Sequence, residues 1–306
     1  MTISNEATWF HPRGALGAPP WETVVDDTVP GWTHTGLRVA EIRDGATLEL
    51  QDRGVERIIV PLAGSFTVRH RRSADETETF LAGRRSVFDG PTDVLFLPAG
   101  SVAWIRGEGR VAVAEAPTTE IRAWRHLRPS QFPVELRGAG ASSRQVHNFG
   151  TPEALNAAKL IVCEVITPAQ NWSSYPPHKH DEHIPGHESR LEEIYYFESA
   201  PAGAGRPDAD DAAFGMFSTY SSPAGTIEIN AVVHTGDVAL VPYGYHGPAI
   251  AAPGYDLYYL NVMAGPDAER AWLISDDPAH AWIRDSWTGQ DVDPRLPYAN
   301  DKEGRR

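Results

Sequence analysis

His178 and His180, separated by Lys179, are followed by Glu193 and then by His246 in the turn Pro242-Tyr243-Gly244-Tyr245-His246. On an extended strand side chains alternate with period two, so the two histidines face the same way and Lys179 points away from them. A carboxylate and a third imidazole from neighbouring strands complete a nitrogen-and-oxygen cluster suited to one divalent metal, with room left for a substrate. Zn, Mn, Fe and Ni are all candidates for that ion. The competing reading is a solvated loop, because Pro176 and Pro177 precede the pair and Asp181, Glu182 and His183 follow it. Glu192 competes with Glu193 for the carboxylate position. If Glu193 points inward, Tyr195 and Phe197 line the same interior, and Glu192 faces the other way as a solvated charge.

Strands must hold such a cluster, and the chain is rich in them. Short β-prone runs at 57–60, 65–68, 93–97 and 110–114 are echoed by runs at 159–165, 194–197, 214–220, 237–241 and 256–263. Gly, Pro, Asp and Asn separate them. That pattern indicates antiparallel sandwiches or barrels rather than βαβ units. One short helix is expected at 152–158, with Thr151 as its cap and Pro152 in the first position. The halves also resemble each other. Gly90 to Gly100 and Gly236 to Gly244 each run from Gly through an apolar strand to Pro-x-Gly, and 56–60 can be laid over 193–197. We therefore expect an all-β fold divided into a barrel at 1–140, a metal-binding barrel at 141–270 and a tail at 271–306. Trp272, Trp282 and Trp287 should pack the first part of the tail on the body, and the charged end after Pro297 should fray. The first half lacks both His-x-His and the histidine after its Pro-x-Gly turn, so it is read as a structural or dimer-forming lobe.

Composition narrows the function classes. The 306 residues are 41% apolar and include nine Trp, enough to fill real cores. A net charge of −14 argues against a nucleic-acid partner. No run approaches the roughly 18 apolar residues of a membrane span, and the N-terminus lacks the basic start and apolar core of a signal peptide, so a cytoplasmic location is expected. Cys163 sits in an apolar run and reads as an inert buried thiol. No Gly-x-Gly-x-x-Gly segment or P-loop is present, and no organic cofactor is expected.

His-x-His, then Glu, then Gly-x5-Pro-x-Gly-x-His resembles the two motifs of the cupin superfamily, in which the ligand Glu is followed directly by a short aromatic strand. Further segments narrow the resemblance: Ser174 to Asp181, Leu191 to Tyr196, Gly254 to Gly265, Ser86 to Asp93, Arg137 to Gly140 and Arg144 to Asn148. Together they are similar to the 5-deoxy-glucuronate isomerase family. The resemblance implies a bicupin, two double-stranded β-helix (jelly-roll) barrels in tandem. It also implies an aldose–ketose isomerase, an intramolecular oxidoreductase, that converts 5-deoxy-D-glucuronate to 5-dehydro-2-deoxy-D-gluconate in inositol catabolism. A homo-oligomer is expected. The alternatives are a non-haem iron dioxygenase and a sugar-binding protein without chemistry.

On that reading His178, His180, Glu193 and His246 hold the metal. Arg144 and Arg190 are candidates for the carboxylate of a small acidic sugar, and Asn261 for its hydroxyls. Glu192 is the first candidate for a catalytic acid–base group and Tyr259 the second. His183 and His187 lie in the loop between the ligands, and neither their role nor that of His147 follows from the residues alone.

Overall fold

The β-prone runs become antiparallel strands throughout. In the computed structural model, which describes residues 6–203 and 212–299, only Glu6–Trp9 and Ile283–Ser286 are α-helical. Among the described residues no helix is long and apolar enough to cross a membrane.

The first barrel is an eight-stranded sheet centred on Val55–Arg72, which lies between Val102–Pro117 and Val94–Leu97. Alternate residues of these strands, including Ile59, Phe66, Leu95, Ile105 and Val113, are fully buried and fill its interior. The second barrel packs a seven-stranded sheet against a six-stranded one. The first of these runs Phe10–His11, Val238–Val241, Glu192–Pro201, Tyr255–Ala264, Ile161–Thr167, Arg144–Gly150, Val134–Arg137. The six-stranded sheet carries Gly225–Val233, Gly215–Ser222 and Tyr245–Ala251, then His178–Lys179 and Ser275–Asp276. The architecture is two jelly-roll barrels in tandem.

Four details depart from the sequence expectations. A boundary at 140 falls inside a hairpin: Val134–Arg137 pairs with Arg144–Gly150 in the second barrel's sheet, and Phe10–His11 joins that sheet from the N-terminus. The helix expected at 152–158 stops after one turn, closed by the Leu155 amide on the Thr151 carbonyl. Past that turn the Ala157 amide bonds to the Leu155 carbonyl, and Glu56 accepts from the amides of Ala158, Lys159 and Leu160, which leads the chain out of the helical path. Order also continues past Pro297, since the Tyr298 amide donates to Gln145 Oε1 at 2.7 Å. The rest of the end expected to fray, 300–306, lies outside the described residues.

The fourth departure is the register of the repeat. Glu56 pairs with Ala116 and Arg57 with Leu97, just before Pro98-Ala99-Gly100. Glu192 pairs with Ala264 and Glu193 with Val241, just before Pro242-Tyr243-Gly244. Glu56 therefore corresponds to Glu192, not Glu193, one residue off the expected overlay. The correspondence is reciprocal. Glu56 of the first barrel binds three successive amides of the second, and Glu192 of the second binds those of Thr33, His34 and Thr35 in the first. Arg57 stands where the second barrel has Glu193. It is 1% exposed and donates to Glu115 Oε1 at 2.7 Å and to the carbonyls of Ser101 and Gln51.

Candidate metal centre

Neighbouring strands bring the expected ligands together. His178 pairs with His246 across the six-stranded sheet, and Glu193 enters from the facing sheet beside Val241. Ligand atoms of His180, Glu193 and His246 all lie within 4.8 Å of one another, and all three residues are buried. His178 stands outside that tight group but next to it, its ring centre 4.6 Å from that of His246 and 6.4 Å from that of His180.

Each imidazole is oriented by a main-chain carbonyl. Nδ1 of His178 donates to Pro176, Nδ1 of His180 to Leu191 and Nδ1 of His246 to Gly244, each at 3.1 Å. A carbonyl only accepts, so the proton is on Nδ1 and the Nε2 lone pairs are left for a ligand role. His180 Nε2 lies 3.0 Å and His246 Nε2 3.1 Å from the same Glu193 Oε2. His246 Nε2 is buried and lacks a well-aligned hydrogen-bond partner. Two lone pairs converging on a carboxylate is an arrangement that a divalent cation satisfies.

Burial pushes the Glu193 carboxyl up, but His180 and His246 with protonated Nε2 atoms bring it down to about 2, and Glu193 in turn raises His180. With the ring protons on Nδ1 instead, a cation between the lone pairs and the carboxylate would supply that same pull. Burial and its two imidazole neighbours hold His178 well below the ordinary histidine value, in the neutral form a metal needs.

A cavity of about 680 Å³ opens beside the cluster, lined by His178, Glu193, Tyr195, Tyr259, Asn261 and Arg144. Strand alternation explains this set. Tyr259 and Asn261 face inward from Tyr255–Ala264, Glu193 and Tyr195 from Glu192–Pro201, and Arg144 and Val146 from Arg144–Gly150. Arg144 is 5% exposed and donates to the carbonyls of Ser142 and Tyr175. Among the described residues it has no carboxylate in ion-pair contact, whereas its cavity neighbours Arg137 and Arg284 are matched to Glu135 and Asp276. Burial, with those two arginines near, lowers its guanidinium to about 10. Burial keeps the Tyr259 phenol protonated by pushing it up.

Two expected residues are elsewhere. Glu192 is neither solvated nor in the cavity: it points to the opposite face, where it holds the amides of 33–35. Arg190 is on the surface, paired with Asp267 at 3.1 Å, and does not line the cavity. His183 shares that Asp267, whereas His187 reaches the cavity mouth. His147 faces backwards and donates to Glu164 at 2.6 Å. Sequence reading missed the wall built by the tail: Trp272, Ile274, Asp276 and Arg284. Trp272 stood out only as a packing aromatic, and no motif marks Asp276 or Arg284.

A model of the KduI/IolB family matches residues 11–283. The chain belongs to that family. KduI/IolB relatives include the 5-deoxy-glucuronate isomerase of Geobacillus thermodenitrificans, 39% identical over 84% of this chain and 88% of that protein. The enzyme of the same name from Lacticaseibacillus casei is 37% identical over 82% and 88%. Among solved structures, an IolB-like protein from Salmonella typhimurium superposes with a TM-score of 0.79 at 30% identity, covering 90% of this chain and 98% of that one. An oxalate decarboxylase variant from Bacillus subtilis, at 10% identity and a TM-score of 0.60, shares the fold alone.

Proposed function

We propose that this chain is an aldose–ketose isomerase that converts 5-deoxy-D-glucuronate to 5-dehydro-2-deoxy-D-gluconate, with one divalent metal held by His178, His180, Glu193 and His246. The observation that carries the reading is one cavity lined by His178 and the buried Glu193 carboxylate, with His180 and His246 against them, and by the buried Arg144 guanidinium, which has no carboxylate in ion-pair contact among the described residues. Family membership supplies the reaction class. When bound, the ion would act as a Lewis acid toward the substrate's carbonyl and neighbouring hydroxyl, with no change of oxidation state.

The chain's own residues do the rest. Arg144 takes the substrate carboxylate through a fork of parallel donors, which sets the sugar's direction in the cavity. Tyr259, kept protonated by burial, donates to a substrate oxygen, and Asn261 holds a hydroxyl. Tyr195 is held by Ser174, with their oxygens 3.0 Å apart, and forms the floor beside the cluster. The hydrogen that moves between C1 and C2 does so within a pocket walled by the tail segment around Trp272 and Ile274.

Anaerobic incubation of metal-loaded protein with 5-deoxy-D-glucuronate, followed by NMR, tests this. Loss of the aldehyde signal and gain of a ketone, without oxygen or nicotinamide, is the expected result. A requirement for either co-reactant overturns the assignment.

A further inference from the structure

We infer that Asp181 is a positioning residue for the metal centre, joining the strand that carries His178 and His180 to the turn that carries His246. The inference rests on the metal reading above. Lys179, Asp181 and Glu188 form a cluster behind the ligand strand, at 5%, 8% and 1% exposure. Asp181, Glu182 and Glu188 bring their carboxylates close enough to suggest a second cation site. Lys179 Nζ already fills it, donating to Asp181 Oδ1 at 2.8 Å, Glu182 Oε2 at 2.6 Å and Glu188 Oε1 at 2.8 Å. The positive charge at that centre is therefore part of the chain.

Asp181 uses its other oxygen differently. Oδ2 accepts the Gly244 amide at 2.8 Å and the Ser222 hydroxyl. The carbonyl of the same Gly244 accepts His246 Nδ1. A continuous path thus runs from Lys179, which sits between two of the ligands, through Asp181 to Gly244 and on to the imidazole of the fourth. Glu188 closes the back of the path by accepting the amides of Asp181 and Glu182. Groups that orient a ligand from behind typically change metal affinity 10–100-fold when removed.

The test is Zn²⁺ affinity by competition with a chelating dye, on the full chain, for wild type, Asp181→Ala and Asp181→Glu. Asp181→Glu keeps the charge for Lys179 but moves the carboxylate off the Gly244 amide. Both variants are expected to lose Zn²⁺ about 10–100-fold more readily, while thermal unfolding of the metal-free chains differs far less. If one variant does not fold, the other decides. Wild-type affinity in a folded variant overturns the inference alone, whereas a wild-type chain that holds no Zn²⁺ overturns the metal reading with it.

Discussion

Glu192 and Glu193 are neighbours whose side chains serve opposite faces of one strand, and exchanging each for Gln separates their roles. Glu193→Gln is expected to strip most of the metal and with it turnover, read by elemental analysis. Glu192→Gln should keep both metal and turnover. It should instead lower the urea midpoint, because bonds from three amides to a charged group weaken together, a loss of about 1–3 kcal/mol. Arg144→Gln should raise KM for the uronate about 10–100-fold, the range of a charge-assisted hydrogen bond, with Arg144→Lys recovering only part because a point charge lacks the fork. An Arg144→Gln enzyme with unchanged KM would remove Arg144 from the substrate site.

Strands and turns were the most legible features of the sequence, and the reason is physical. Period-two alternation assigns faces without any knowledge of neighbours, so Tyr259 and Asn261 fall on one face of their strand, whereas Arg144 was a candidate only for its carboxylate-binding chemistry. Arg190 was a candidate on the same chemistry, and nothing in its type distinguishes a surface arginine paired with Asp267 from one that lines the cavity. Asp276 and Arg284 were invisible because the tail reaches the cavity through contacts between residues far apart in sequence, such as the pairing of Asp276 with His178 and of Ser275 with Lys179. The Pro-x-Gly turn was legible for another reason: Gly244 has φ +97°, and an added Cβ would sit 2.4 Å from Ile227 Cγ2 and 2.8 Å from the Tyr220 carbonyl. Gly244→Ala should therefore cost stability and displace His246, with metal loss exceeding that of Gly186→Ala. Gly186 has φ +72° but nothing within 4 Å of the added atom, so it carries the backbone strain without the clash. Denaturant titration and metal content on both variants check this.

At the scale of the whole molecule, the two barrels are joined by buried charge. Arg84 of the first donates to both oxygens of Glu164 of the second, at 2.8 and 2.6 Å, with both side chains fully buried. Tyr258 and His147 complete the shell around that carboxylate. Burial alone would raise the Glu164 carboxyl, but Arg84 and His147 bring it down to about 2, from an ordinary 4.5. A depressed carboxyl contributes stability that is present above the unfolded value and lost as pH falls through the folded one, so acid unfolding should draw on this pair between about pH 4.5 and 2. Arg84→Met leaves a buried carboxylate unmatched and should cost about 3–5 kcal/mol at neutral pH. Lowering the pH should then narrow the gap to wild type, and a gap independent of pH would show that Glu164 does not titrate as described.

The arginine that occupies the first barrel's counterpart of Glu193 gives the duplicated scaffold an unequal dependence on its surroundings. In one half the cation is covalent, a guanidinium seated between Glu115 and two carbonyls, and no change in the supply of dissolved metal can remove it. In the other half the same place in the weave is an acid between two imidazoles, which on the proposed reading takes its cation from solution. Treatment with a chelator should consequently divide the molecule: amide hydrogen exchange should quicken around His178–Lys179 and Tyr245–Ala251, while Val55–Arg72 serves as an internal reference that does not respond.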